Sequence, residues 1–182
     1  MSDLIGGLIG VAVGWGLSQA GELYKAHCQK KRLKTLLNQE LKDIDVSLDE
    51  IVLTLKKNVD EYRKFYRVDY CVPLNTPFLD AHYIEIADQL TNNQRYNLRN
   101  LQDQFAALNN GLLWLEQNTV SSPENHGLLM IQIYARIKNT YRAALFAQAI
   151  LKESNKSGGQ EAITEDHPSS IKVKEIISKI KI

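Results

Sequence analysis

The chain is poor in cysteine and proline and carries almost no net charge. Its 182 residues include two cysteines and four prolines, and the formal net charge is +1. Cys28 and Cys71 cannot form a disulfide framework, and no histidine stands at a zinc-ligand spacing from either. The balanced charge gives no indication of an overall basic nucleic-acid binder. Because prolines are few, long stretches are free to be helical.

Sequence motifs for common chemistries are also lacking. There is no P-loop, no G-x-G-x-x-G, no G-x-S-x-G and no H-E-x-x-H. Asp80, His82 and Glu85 lie close together, but acids at a helix start complement the helix dipole and need no metal. We therefore expect a non-enzymatic protein with no catalytic residues, no cofactor and no metal.

The N-terminal segment is the longest uncharged run. Leu4 to Gly21 carries no charge and would span about 27 Å as a helix, near the lower limit for crossing a bilayer. Five basic residues follow it, which we call the basic collar: Lys25, Lys30, Lys31, Arg32 and Lys34. This order predicts a transmembrane helix over residues 1–21 in an inner membrane, single-pass, with membrane lipid as a partner and the C-terminus in the cytoplasm.

Two other interpretations of this segment stay open. Ser18-Gln19-Ala20 resembles a signal-peptidase site, although Asp3 stands where a signal peptide needs positive charge. A buried soluble helix is the second, although six glycines would each disfavour it by about 1 kcal/mol.

Within the same segment, Gly6, Gly10 and Gly14 recur at a spacing of four. Such a face lets a second helix approach closely in lipid, which predicts a homo-oligomer formed through a glycine zipper. The alternative is a small-residue helix with no defined partner, since Gly7 and Gly16 dilute the pattern.

The region after the basic residues predicts one long amphipathic helix. Apolar residues alternate spacings of four and three, with one polar member: Leu37, Leu41, Ile44, Leu48, Ile51, Leu55, Asn58, Tyr62 and Phe65. Val52 and Val59 widen this heptad seam beyond a two-stranded coiled coil, which favours a bundle. Asn58 either fixes the register of the seam or is an ordinary polar residue near the helix end.

Three further helices are predicted, so the fold class is all-α: a transmembrane helix continuing into an antiparallel cytoplasmic bundle over residues 22–153. Thr76 with Pro77, Thr91 with Gln94, and Ser122 with Pro123 mark their starts. Residues 154–170 are rich in Ser, Asn, Gly and acids and predict a flexible linker. Residues 171–182 predict a basic amphipathic tail, with a pairing strand or a frayed end as alternatives.

One aromatic and basic cluster could contact a ligand or RNA. Tyr62, Arg63, Phe65, Tyr66 and Arg67 combine stacking and phosphate-binding side chains. The alternative is that Tyr62 and Phe65 belong to the seam while the cations are solvated. Nucleic acid as a partner is left open.

One membrane helix, a basic collar and a helical bundle together resemble the small membrane effectors and accessory proteins of bacterial antiphage systems. The type VI CRISPR accessory proteins with a degenerate HEPN-like bundle are similar in architecture over about residues 4–153. HEPN nucleases carry an Arg followed at four to six residues by a His, whereas here Arg136 is followed by Tyr141. The resemblance therefore implies no catalytic residues.

We expect a membrane-perturbing or pore-forming antiviral effector or accessory protein that acts with a cytosolic protein partner. A membrane-tethered scaffold and an RNA-binding or RNA-cleaving HEPN-like bundle are the alternatives.

Overall fold

The computed structural model describes the backbone of residues 2–119 and 126–180 and the side chains of residues 14–119 and 128–180. It consists of five helices: α1 (Ser2–Phe65), α2 (Pro77–Ala87), α3 (Asn92–Thr119), α4 (His126–Ser157) and α5 (Pro168–Ser178). No strand occurs in these ranges, so the all-α expectation is confirmed. The expected start of the fourth helix at Ser122–Pro123 lies outside the described residues.

Helix α1 is the dominant element. Its 64 residues run without a break for about 96 Å, as the scarcity of glycine and proline after Gly21 predicts. Side chains from Gly14 to Gln29 are all exposed, and packing against the rest of the chain begins only near Leu33. We call residues 2–29 the stalk and the rest of the fold the bundle.

No helix in the part of the chain whose side chains are described is both long enough and apolar enough to cross a membrane.

The heptad seam of α1 forms one wall of the core. Six of its apolar members are buried: Leu37, Ile44, Leu48, Ile51, Leu55 and Tyr62. Leu41 is partly buried against the same core. Phe65 departs from the expectation and is 69% exposed, because α1 ends at this residue and none of the described helices covers it.

Helix α4 lies at the centre and packs against α1, α3 and α5. It runs antiparallel to α1, since Asp49 meets Lys152 while Tyr62 stacks on Tyr134. Helix α3 approaches α4 closely at Gly111, where a Cβ would lie 2.2 Å from the hydroxyl of Thr140. The two backbones can come together there because Gly111 has no side chain.

The segment expected to be a flexible linker packs against the bundle. Helix α4 continues to Ser157, and Gly158 and Gly159 then turn the chain with positive φ angles. Ile163 and Val173 are both buried, so the linker and the first part of the tail contribute to the core. The tail forms α5, because its apolar residues have α4 to pack against.

Three asparagines hold the connections between helices. Asn58 accepts from the backbone N–H of Asp69 and donates to its carbonyl, both at 2.8 Å. Asn109 makes the same pair of 2.8 Å bonds with Leu74. Asn97 accepts from Ile163 N–H and donates to the carbonyl of Glu161, again at 2.8 Å. In each case a side-chain amide satisfies backbone N–H and C=O groups of a loop, which have no helix or strand partner.

Helix α2 is capped from another helix. The carboxylate of Glu40 on α1 accepts from the N–H groups of Phe78 and Leu79, at 2.8 Å each. Thr76 precedes the helix as expected, but its hydroxyl donates to Asp80 and makes no cap bond. The expected capping box of α3 is present, with Thr91 and Gln94 bonded reciprocally at 3.0 and 3.2 Å.

Candidate functional site

The basic residues after the predicted membrane segment separate into two groups. Lys25, Lys31 and Arg32 are exposed on the stalk or just beyond it. Lys30 pairs with Asp88 at the end of α2, and Lys34 borders a groove of the bundle. The structure therefore places three cations in solvent and turns two towards the bundle.

The predicted glycine face lies on the stalk. A Cβ added at Gly14 would meet no atom within 4 Å, so the bundle leaves that position open. Side chains near Gly6 and Gly10 lie outside the described residues. Large apolar side chains are exposed further along the stalk, including Trp15, Leu17 and Leu23.

The predicted aromatic and basic cluster is at the far end of α1, and it divides in two. Tyr62 is buried and stacks on Tyr134 with ring centroids 6.3 Å apart, and burial raises the pKa of Tyr62. The guanidinium of Arg63 lies over the ring of Tyr134 at 4.5 Å. Both residues make contacts within the fold. For Tyr62 this agrees with the alternative that it belongs to the heptad seam.

The other members of the cluster are available at the surface. Phe65 and Tyr66 are 69% and 62% exposed, and Arg67 is also exposed. Tyr70, which sequence analysis did not single out, is 53% exposed beside them. We call Phe65, Tyr66, Arg67 and Tyr70 the distal patch.

Tyr66 occupies an unusual backbone conformation. Its φ is +51°, in the left-handed region, and its N–H donates to the carbonyl of Tyr62 at 2.7 Å to end α1. Glycine or asparagine normally fills this position, because other side chains are strained there. The ring of Tyr66 meets that of Tyr62 edge-on with centroids 6.1 Å apart, and 62% of the residue stays exposed.

Ion pairs fix the chain beneath the distal patch. Asp69 pairs with Lys57 at 2.7 Å and with Arg67 at 3.3 Å. The hydrogen bond from Lys57 lowers the pKa of Asp69, so this carboxylate stays charged. Tyr70 bonds through its hydroxyl to Thr119 at the end of α3. The patch is therefore held between α1 and α3.

The residues closest to a HEPN pattern are engaged in packing. Arg136 lies over the ring of Trp114 at 4.9 Å, and the carbonyl of Arg136 accepts from Thr140. Tyr141 is buried, and burial raises the pKa of its hydroxyl.

Scans of the chain against protein-family models, curated proteins and solved structures each returned no match.

Proposed function

We propose that this chain is a non-enzymatic, membrane-anchored protein that self-associates through its stalk and presents the distal patch to a cytosolic protein partner. The observation that carries the proposal is the stalk: residues 14–29 are helical and exposed on every side, and they continue into the uncharged N-terminal run. Trp15, Leu17 and Leu23 are large apolar side chains that the bundle leaves uncovered, and a bilayer or a second copy would cover them.

The charge order along α1 supports an inserted N-terminus. An uncharged run is followed by exposed Lys25, Lys31 and Arg32, which would sit at the cytoplasmic headgroups. The bundle would then lie in the cytoplasm beyond the collar.

The glycine spacing supports self-association of that helix, and a membrane-perturbing assembly is the preferred form of the proposal. A scaffold that leaves the bilayer sealed is the alternative. The two differ in whether close packing at Gly6, Gly10 and Gly14 is needed for activity.

Gly10→Ile tests the anchor and its assembly, and Ala12→Ile is the matched control. Position 12 lies about 200° around the helix from position 10, so both changes add an apolar side chain but only one blocks the glycine face. Both variants should stay in the membrane fraction after carbonate extraction. Only Gly10→Ile should lose crosslinked oligomers and any depolarisation measured with a potential-sensitive dye.

The possible outcomes separate the alternatives. Equal oligomers in both variants would remove the glycine face from the proposal. Oligomers without depolarisation, in cells that contain the partner, would favour the scaffold. A soluble chain beginning at Gly21 would show a cleaved signal and contradict the anchor.

The distal patch is proposed as the partner site because exposed aromatic side chains beside arginine are typical of protein interfaces. A photo-crosslinking residue at position 65 of the full chain, in its native host, should trap a protein. The same residue at position 113, where Leu113 is exposed on α3, should not. An adduct removed by nuclease would favour the RNA-binding alternative, and no adduct at 65 would contradict the partner site.

A further inference from the structure

A groove between α1, α3 and α4 opens at the end of the bundle nearest the stalk. Its volume is about 420 Å³, within the range of ligand pockets in proteins. Its apolar lining consists of leucine and isoleucine side chains, with Leu37, Leu98 and Leu151 among them, and Asn97, Ser154 and Asn155 add polar groups. The groove is therefore suited to the apolar part of a ligand.

Its rim carries positive charge without acidic compensation. Lys34, Asn38 and Lys42 recur at a spacing of four, so they form one stripe of α1 along the groove. No aspartate or glutamate is among the lining residues in the described chain. Two ammonium groups above an apolar floor favour an anionic group at the mouth.

The opposite rim is built by a fixed turn. Gln94 donates to the carbonyl of Gly158 at 2.9 Å, and Gly159 lies so close to Gln94 that a Cβ would approach its Cγ to 2.6 Å. The positive φ angles of both glycines make this turn possible. The rim is thus tied to α3 and keeps that side of the groove in place.

The other grooves of the bundle differ in charge. The one beside Cys71 is lined by Glu40, Asp43 and Glu50, which would repel an anion. In the one beside α5, Lys174 is paired with Glu165 at 3.2 Å, and the guanidinium of Arg142 lies over the ring of Phe146 at 5.6 Å. The groove at Lys34 and Lys42 differs from these two because it combines two lysines with a lining that contains no acid.

We propose that this groove binds a single-chain anionic amphiphile, with the aliphatic chain on the leucine floor and the anionic head at Lys34 and Lys42. The fatty carboxylate is the simplest ligand of this chemistry, and a single-chain anionic lysophospholipid could supply the same groups. The proposal does not depend on the membrane anchor, although a groove close to the basic collar would be well placed to receive lipid from a bilayer.

The test uses the full chain and a fatty acid carrying a photoreactive diazirine on its chain, with adducts mapped by peptide mass spectrometry. Labelling should fall on the lining segments of α1, α3 and α4 and be competed by unmodified fatty acid. A diazirine fatty alcohol should label them much less, because its head carries no charge. A diazirine lysophosphatidic acid, which has one chain and a phosphate head, tests whether a membrane lipid can be the source.

Two pairs of variants locate the ligand. Lys42→Gln should weaken labelling about tenfold, as expected for losing one charged hydrogen bond, whereas Lys56→Gln at the far end of α1 should not. Asn38→Trp should fill the mouth and abolish labelling. Gln39→Trp is its matched control, because Gln39 is exposed on the next position of α1 and lies outside the groove.

Labelling that Asn38→Trp and Lys42→Gln leave unchanged, or that is confined to residues 4–21, would overturn the groove as a binding site. Equal labelling by the alcohol would overturn the role of the lysines. These outcomes are separate from those for the anchor, because a chain that failed to sediment with membranes could still label at the groove.

Discussion

Replacing Asn58 with leucine distinguishes two roles for this buried polar residue in the heptad seam. If Asn58 served only to fix the register of a coiled coil, leucine would fit the seam and raise stability. In the structure Asn58 is 2% exposed and holds both backbone groups of Asp69. We therefore expect Asn58→Leu to destabilise the bundle.

The magnitude follows from the two bonds. Each backbone group left without a partner costs about 1–3 kcal/mol when it stays buried. Asp69 is partly exposed, so water can reach its backbone in part. We expect a loss of about 2–4 kcal/mol, a large share of the 5–15 kcal/mol that typically stabilises a domain.

The assay is urea denaturation followed by far-UV circular dichroism, comparing wild type, Asn58→Leu and Asp69→Asn. The last variant removes the carboxylate but keeps the backbone groups that Asn58 holds, so it should lose less. A midpoint for Asn58→Leu at or above that of wild type would refute the reasoning and restore the register role.

Three further predictions concern the core, the helix contact and pH. Ile51→Asp should cost several kcal/mol by burying an unpaired charge, whereas Val46→Asp, at a position 66% exposed on the same helix, should cost little in the same denaturation assay. Gly111→Ala should destabilise by about 1–3 kcal/mol, since its Cβ would overlap Thr140; an unchanged melting temperature would show that α3 and α4 can separate at no cost. Because the pKa of Asp69 is lowered in the fold, its contribution is present above the ordinary carboxyl pKa and is lost as pH falls through the lowered value. The free energy of unfolding of Asp69→Asn should therefore fall less at acid pH than that of wild type. An equal fall in the two proteins would contradict this.

The long seam of α1 could be predicted because its information is local. Apolar residues at heptad spacing indicate a buried face whatever they pack against, and the apolar seam residues from Leu37 to Tyr62 are buried as expected except for the partly buried Leu41. The prediction for Phe65 was wrong because burial also needs a neighbouring helix, and the spacing of apolar residues does not show whether one is present. The capping box at Thr91 was predictable for the same local reason.

The contacts that connect distant parts of the chain could not be predicted. Asn97 looks like any polar residue of α3 until Ile163, 66 positions later, is seen to donate to it. Polar composition therefore predicted a linker at 154–170, although buried Ile163 and the side-chain amides of Asn97 and Gln94 attach this segment to the bundle. Lys34 and Lys42 likewise gave no signal of a groove, since its floor comes from three separate helices.

The three proposed sites all involve one unbroken helix, α1. The glycine face, the lysines of the groove and the distal patch all involve α1, which has no bend-forming glycine or proline between Glu22 and Phe65. Stalks packed side by side in a bilayer would share one direction, so their bundles would present distal patches on the same side. A partner with several binding sites would then gain affinity from the array without any new contact. Self-association through the stalk and binding at the distal patch would in this way reinforce each other, although the two surfaces lie at opposite ends of α1.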